Sequence, residues 1–315
     1  MKLRLDREGP ALVALAVLYI FLLIAAPTFY RFENLRDLAL ANVSVLLVAA
    51  GMTLIIVIAQ IDISVGSLFA VASVACGVLV KTGLPVPLAL SAAVLIGAAL
   101  GAMNGGLISY VRAPSIVVTL ATMIVWRESL RWGTGGAWVE GLPANFQWFG
   151  MGQQAGQAVI VVFALLLFAL FWWASENVSA FRAIYATGSD SEAARLAGIP
   201  VKWVLFAVFA LMGALTGVAA VLNAVRFSDV PANSGMNLEL KAIAAVVVGG
   251  TPITGGRGSL LGTFIGVLLL GSIAPALTFL GINPYWEKAI QGAIILATVL
   301  FDAIRTHREK RLALA

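Results

Sequence analysis

A chain of 315 residues in which 61% are apolar and 11% charged, against about 45–50% and about 25% in ordinary soluble domains, is not built to sit in water. Its net charge of +5 is scattered between apolar runs rather than gathered into a stripe or an arm, which argues against a nucleic-acid surface. One cysteine, Cys76 in an apolar run, and one histidine, His307 in a basic tail, exclude an intrachain disulfide, a His/Cys metal cluster and a Ser-His-Asp triad.

A hydrocarbon core about 30 Å thick takes roughly 20 mostly apolar residues per helical span. The apolar runs and their breakers predict an all-α polytopic integral membrane protein with about ten transmembrane helices. They fall near 10–27, 38–59, 63–80, 86–111, 115–131, 157–174, 203–224, 239–250, 259–280 and 286–303. Residues 1–315 read as a single transmembrane domain, with the polar stretch 175–202 as its longest cytoplasmic loop, because no large polar block separates the runs. The start, MKLRLDREGP before an apolar run from Ala11 to Ala26, imitates a signal peptide, but its length and the spans after it favour a first membrane helix.

Between the second and third spans, GMTLIIVIAQIDISVGS (51–67) stops at an acidic elbow. Asp62 and Ser64 are good N-cap types for the helix that follows, and capping is favoured over direct ligand contact. In the fourth span Gly97, Gly101 and Gly105, spaced at four, let a neighbouring helix approach closely. Asn104, Thr119, Thr122, Asn223 and Gln291 can bond across helices or line a pathway. The loop from Trp132 to 156 is rich in Gly, Trp and Phe and reads as an interfacial element with aromatic anchors; stacking of Trp132, Trp138 or Trp148 on a sugar ring is the second reading.

The polar stretch 175–202 contains ATGSDSEAARLAGIPVKW (186–203), a short helix marked at both ends. Ser189 and Glu192 fit a capping box, Gly198 suits the stop, and Pro200 forbids continuation. Ala193, Ala194 and Ala197 give it a small-residue surface. A second elbow, GGTPITGGRGSLLGTFIG (249–266), interrupts two apolar runs, so interrupted or short helices are expected near 60–66 and 250–258. Its GGRGS lacks the spacing of a phosphate-binding loop, so the chain does not bind ATP in that fashion. SVGSLFAVA and GRGSLLGTF share Gly-Ser-Leu before an apolar helix, which suggests an internal repeat.

Lys2, Arg4 and Arg7 at one end and Arg305, Arg308, Lys310 and Arg311 at the other place both termini in the cytoplasm, and an even count of spans carries Arg112, Arg182, Arg195 and Lys202 to the same side. Acidic residues cluster at span ends rather than inside spans, which disfavours an ion-coupled secondary transporter, and no nucleophile or acid pair suggests an enzyme.

Together GMTLIIVIAQIDISVGS, GAMNGGLISYVRAPSIVVTLATM, GSDSEAARLAGIPV, ELKAIAAVVVGGTPITGGRGSLLGT and PYWEKAIQGAIILATVLFD resemble, in order and over about residues 45–303, the ribose-type sugar permease family of bacterial ABC importers. The resemblance implies an inner-membrane subunit that translocates a monosaccharide without chemistry of its own. Its cofactor, ATP with Mg, would bind a partner ATPase; its other partners would be a periplasmic sugar-binding protein and a second permease chain, identical or not. It also implies that Ser189, Glu192, Ala193, Ala194, Leu196 and Gly198 couple to the ATPase, and that Asp62, Ser64, Asn104, Thr119 and Thr254 flank the pathway. The outer segment is similar to that of permeases for deoxyhexoses such as rhamnose or for autoinducer-2; a branched-chain amino acid permease is the nearest alternative. Where relatives commonly carry a glycine pair before the acidic residue, this chain has Ala59 and Gln60.

Overall fold

The computed structural model describes residues 5–297 and 300, with side chains from Glu8 onward. Lys2, Arg4, the side chain of Arg7, residues 301–303 of the last expected span, Arg305, His307, Arg308, Lys310 and Arg311 lie outside the described residues. The chain runs through α1 (Leu5–Ala25), a 3₁₀ turn (Pro27–Tyr30), α2 (Phe32–Val57), α3 (Val65–Lys81), α4 (Val86–Ser109), α5 (Ser115–Thr134) and α6 (Gln153–Asn177). It continues through α7 (Ser179–Ser189), α8 (Ser191–Leu196), α9 (Val201–Ala224), α10 (Leu238–Val248) and α11 (Leu260–Phe279), and residues 286–297 are helical again. In an apolar solvent every backbone N–H and C=O must find its partner inside the segment, and helices meet that demand. Prolines set several starts: Pro85, Pro114 and Pro200 occupy the N-caps of α4, α5 and α9. Gly135, with φ 61°, closes α5 in the left-handed conformation.

Among the described residues six helices are long and apolar enough to cross a membrane unaided, against about ten expected spans: α1 from Glu8, α2, α4, α6, α9 and α11. The last expected span, 286–303, lies partly outside the described residues, and the other three miss for different reasons. At about 1.5 Å per residue the 17 residues of α3 and the 11 of α10 fall short of a 30 Å core. Helix α5 has the length but carries Arg127, Glu128 and Arg131.

Burial ranks the spans by position. The apolar window of α2 is 83% buried, those of α9 and α11 are 61% each, while α1, α4 and α6 stand at 17%, 22% and 17%. Helix α2 is therefore the axle of the bundle, packed by α6, α9, α10 and α11, and α1, α4 and α6 turn most of their apolar surface outward. The four-residue glycine period of α4 brings it against α9. Cβ atoms on Gly97, Gly101 and Gly105 would strike the backbone of Gly213, Phe209 and Phe206, and Gly213 in turn sits on Gly97 and Gly101. Helix α1 is tied to α11 by a Tyr19–Ser272 hydroxyl contact of 3.0 Å and edge-on aromatic pairs among Tyr19, Phe29, Tyr30 and Phe279. Cys76 is buried in α3 as a small apolar residue.

The bundle has two distinct ends. At one, loop 135–152 docks on the stretch after α9: Val139 and Val230 exchange backbone bonds of 3.0 Å, the Trp148 N–H donates to the Val225 carbonyl at 2.7 Å, and Gly77 of α3 packs beneath Val139 and Val230. Trp132 is exposed at that end, whereas Trp148 packs on Gly156. At the other end, the C-terminus of α2, the α7–α8 turn and the break between α10 and α11 converge.

Candidate functional site

Helix α2 ends at Val57 because the chain turns left-handed at Ala59, where φ is 56°. A glycine is the usual occupant of such a position. The Gln60 N–H returns to the Ile55 carbonyl at 3.0 Å and closes the turn. Residues 60–64 then run without helix to α3, and Asp62 and Ser64 within them are fully buried. Asp62 Oδ1 accepts from the Ser64 N–H (2.9 Å) and from Ser64 Oγ (2.6 Å), and Asn104 Nδ2 of α4 donates to Ser64 Oγ at 2.9 Å.

The three residues form a directed chain, Asn104 to Ser64 to Asp62. Ser64 does sit at the N-cap of α3, but its hydroxyl caps nothing; it is spent on Asp62, whose carboxylate holds the entry turn instead. Asp62 Oδ2 and Asn104 Oδ1 have no hydrogen-bond partner among the described residues. A buried group with a lone pair unmet is costly in structure and useful in recognition, since it favours any ligand that offers a donor.

Of the other residues grouped with them from sequence, Thr119 is fully buried on α5, one turn beyond Ser115, whose hydroxyl receives the Ile61 N–H at 3.4 Å. Its own hydroxyl returns to the Ser115 carbonyl at 2.9 Å, the ordinary use of a helical threonine. Thr254 is exposed on the second elbow, apart from the Asp62 group. Thr122 bonds within its helix and Gln291 reaches Glu287, whereas an interhelical pair not anticipated from sequence, Thr53 with Thr263 at 2.7 Å, joins α2 to α11.

The second elbow is built from glycines for a geometric reason. Gly250, Gly255 and Gly256 have φ of 91°, 81° and 72°, and Gly249 packs directly on Gly262 of α11. Ser259 caps α11, accepting from the Gly262 N–H at 3.2 Å. The elbows touch: the Gly256 N–H donates to the Val57 carbonyl at 2.8 Å, and a Cβ on Gly255 would stand 2.7 Å from that of Ala59. The suggested repeat does not map onto equivalent positions. Ser259 is an N-cap, whereas Ser67, its match in the Gly-Ser-Leu alignment, lies in the first turn of α3 three residues past the cap.

The α7–α8 turn is fastened to this junction. Tyr185 Oη donates to the Gly258 carbonyl (3.1 Å), Ser189 Oγ donates to the Gly256 carbonyl (3.2 Å), and Gly188 lies so close to the Val57 carbonyl that no side chain fits. The expected capping box is displaced by one residue. Asp190, not Ser189, caps α8, accepting from the N–H groups of Glu192 and Ala193, each at 2.9 Å. Ser189 is the last residue of α7, and Glu192, instead of reaching back, pairs with Arg195 at 2.5 and 2.9 Å. That guanidinium holds the Glu192 carboxyl below its ordinary pKa. Gly198, with φ 84°, follows the end of α8 as expected. Ala194 turns inward, and Leu196 is 75% exposed beside Glu192 and Ala193.

An apolar helical bundle with two interrupted helices meeting at one end, beside a short capped helix whose preceding turn is bonded to one break and packed on the other, fits a membrane permease. The chain belongs to the family described as branched-chain amino acid transport system / permease component, whose model matches residues 34–299. It is similar to the ribose import permease protein RbsC of Escherichia coli strain K12, with 34% identity over 299 residues, 94% of this chain and 93% of the relative. It is also similar to the autoinducer 2 import system permease protein LsrC of Salmonella typhi, with 32% identity over 297 residues, 94% of this chain and 86% of the relative. The LsrC of Escherichia coli strain K12 / DH10B is 32% identical over 308 residues, 98% and 90% of the two chains. No solved structure matches. The protein is thus a multi-pass membrane transport component rather than an enzyme.

Proposed function

We propose that this chain is the membrane-spanning subunit of an ABC importer for a monosaccharide or a related furanosyl molecule, with a deoxyhexose such as rhamnose, ribose or autoinducer-2 as the candidates. ATP is hydrolysed on a separate ATPase, a periplasmic binding protein delivers the substrate, and a second permease chain, identical or homologous, completes the pathway. The observation that carries this reading is the junction at one end of the bundle. Ser189, the last residue of α7, hydrogen-bonds to the Gly256 carbonyl at 3.2 Å, the Gly256 N–H bonds to the Val57 carbonyl at 2.8 Å, and the Asp62–Ser64–Asn104 chain begins five residues after Val57.

Helix α8, with Glu192, Ala193 and Leu196 exposed, is the coupling helix that seats on the ATPase, and Ala194 anchors it to this chain. Ser189 and Gly198 frame it. A displacement of α8 pulls on both elbows at once, and the elbows hold the helices around Asp62, Ser64 and Asn104. Thr119 flanks that path from α5, and Thr254 lies on the second elbow at its cytoplasmic end. The Ser64 hydroxyl and the Asn104 amide, with Asp62 as an acceptor, match the hydroxyl groups of a neutral sugar.

The short helices cross together with their non-helical extensions, so that ten segments traverse the inner membrane with both termini in the cytoplasm. Arg112, Arg182, Arg195, Lys202 and Arg257 at the junction end support that orientation. The test is ATP hydrolysis by the chain reconstituted in lipid with its ATPase, given binding proteins loaded in turn with ribose, rhamnose, autoinducer-2 or a branched-chain amino acid. Stimulation by one loaded protein identifies the substrate. Stimulation by the amino acid alone moves the protein to that branch, and uptake that needs only an ion gradient replaces the proposal with secondary transport.

A further inference from the structure

Helices α4 and α9 are both long and apolar enough to cross a membrane, and their glycine contacts fix one against the other. At the junction end of this pair α4 stops at Tyr110 and α9 starts at Val201, and three aromatic rings are gathered there. Trp203 stacks on Phe206 with ring centroids 5.3 Å apart and planes 27° from parallel, and Tyr110 lies 6.2 Å from the same Phe206. Trp203 is 57% and Tyr110 54% exposed. Rings with an apolar body and a polar tip suit the headgroup level of a bilayer.

Beside these rings the chain carries two cations with nothing to neutralise them. Arg112, two residues after Tyr110, is exposed and left-handed at φ 63°, and Lys202, directly before Trp203, is exposed as well. The ion pairs among the described residues use Arg36, Arg131, Arg195 and Lys241, not these two. The acidic residues nearest to Lys202 in sequence are already engaged, Asp190 in capping α8 and Glu192 with Arg195. Lys202 also stands in the first turn of α9, a helix of 24 residues whose N-cap is Pro200 and whose first N–H groups no side chain caps, so the helix dipole adds to the positive field.

Exposed apolar side chains continue from the rings into the membrane span: Val111 beside Tyr110, then Leu107, Met103 and Leu95 along α4. A phosphate answers the cations and the uncapped amides, and only a lipid also supplies acyl chains for the apolar side chains beyond them. A zwitterionic lipid brings its own cation to its phosphate, whereas an anionic lipid leaves that role to Arg112 and Lys202.

We propose that the junction end of α4 and α9 binds the headgroup of an anionic phospholipid at the membrane surface. The site is independent of which solute the permease carries, and only residues 197–200 separate it from α8.

The test is native mass spectrometry of the full chain released from detergent micelles after exposure to phosphatidylglycerol, phosphatidylcholine or inorganic phosphate, each offered separately and the phosphate also in competition. A retained phosphatidylglycerol adduct is expected, at least fivefold more abundant than the phosphatidylcholine adduct. Arg112→Gln and Lys202→Gln should each reduce it at least threefold, and Arg182→Gln, which removes an exposed cation of α7 at the same end, should leave it unchanged. Neither Arg112 nor Lys202 bonds through its side chain to another described residue, so their removal breaks no contact of the fold. Equal retention of the two lipids, equal loss in the Arg182 variant, or displacement of phosphatidylglycerol by inorganic phosphate overturns the site.

Discussion

Ala59 holds a left-handed conformation that an L side chain adopts at a cost of about 1–2 kcal/mol. The backbone turn is made without a glycine because the Gln60–Ile55 bond and the contact with Gly255 enforce it. Ala59→Gly should therefore stabilise the protein by about 1 kcal/mol, read as a raised midpoint of thermal unfolding in detergent; a lowered midpoint would show that the Ala59 methyl contributes more by packing than it costs in strain. Three residues on, Asp62→Leu removes the acceptor of two hydrogen bonds inside the protein and strands the Ser64 N–H. A loss of about 1–3 kcal/mol is expected in the same assay, and Asp62→Asn, which keeps an acceptor oxygen, should recover most of it. Asp62 and Ser64 were legible from sequence as polar residues at a helix break. Their partnership with Asn104, some 40 positions away, was not, because nothing local couples the two.

The elements depend on close backbone approach at a few glycines. In α4 the period of four announces that some helix comes near, but the partner emerges only in the fold: α9, through Gly213 and Gly217. Gly101→Val places two methyl groups against the Phe209 carbonyl and the Gly213 Cα and should cost about 1–3 kcal/mol or more. The measurement is the yield of monodisperse protein on size exclusion, expected to fall sharply; Gly106→Val on the same helix, with nothing within 4 Å of its Cβ, should be tolerated. Gly188→Ala tests the transmission element. Its Cβ falls on the Val57 carbonyl, so α7 must withdraw and the Ser189–Gly256 bond opens. Stimulation of the partner ATPase by loaded binding protein should drop at least fivefold, and intact stimulation would count against α8 as the coupling element. The cap of α8 lies one residue beyond the one its sequence suggests for a specific reason: in Gly188-Ser189-Asp190-Ser191 three consecutive side chains can cap, and the choice belongs to the contact that ends α7, not to the local sequence.

Across the molecule, the two ends of the bundle have different characters. One carries the aromatic loop 135–152 and a polar cavity beside it, the other the elbows and α8. Cysteine labelling reads the sidedness directly, because the native Cys76 is buried and silent. Glu140→Cys should react with a membrane-impermeant maleimide added to intact cells, and Ala197→Cys only after permeabilisation; the opposite pattern inverts the topology. The Glu192–Arg195 pair adds a pH signature on the α8 side. Its contribution is present above the ordinary carboxylate value and is lost as pH falls through the depressed value, so it stays in force at neutral pH and is removed by Glu192→Gln.

By itself the sequence determined the class of the protein, the position of its apolar helices and the presence of two breaks. A bilayer imposes length and apolarity on each segment, and glycine, proline and acidic residues interrupt that pattern wherever they occur. Only the tertiary structure decided which helices stand at the centre, that the two breaks touch, that the α7–α8 turn is bonded to one and packed on the other, and that a cavity opens at the far end. Those facts rest on contacts between residues far apart in the chain, such as Val57 with Gly256, Asn104 with Ser64 and Arg226 with Leu40. Hydropathy and local spacing carry no record of which distant carbonyl a donor will meet.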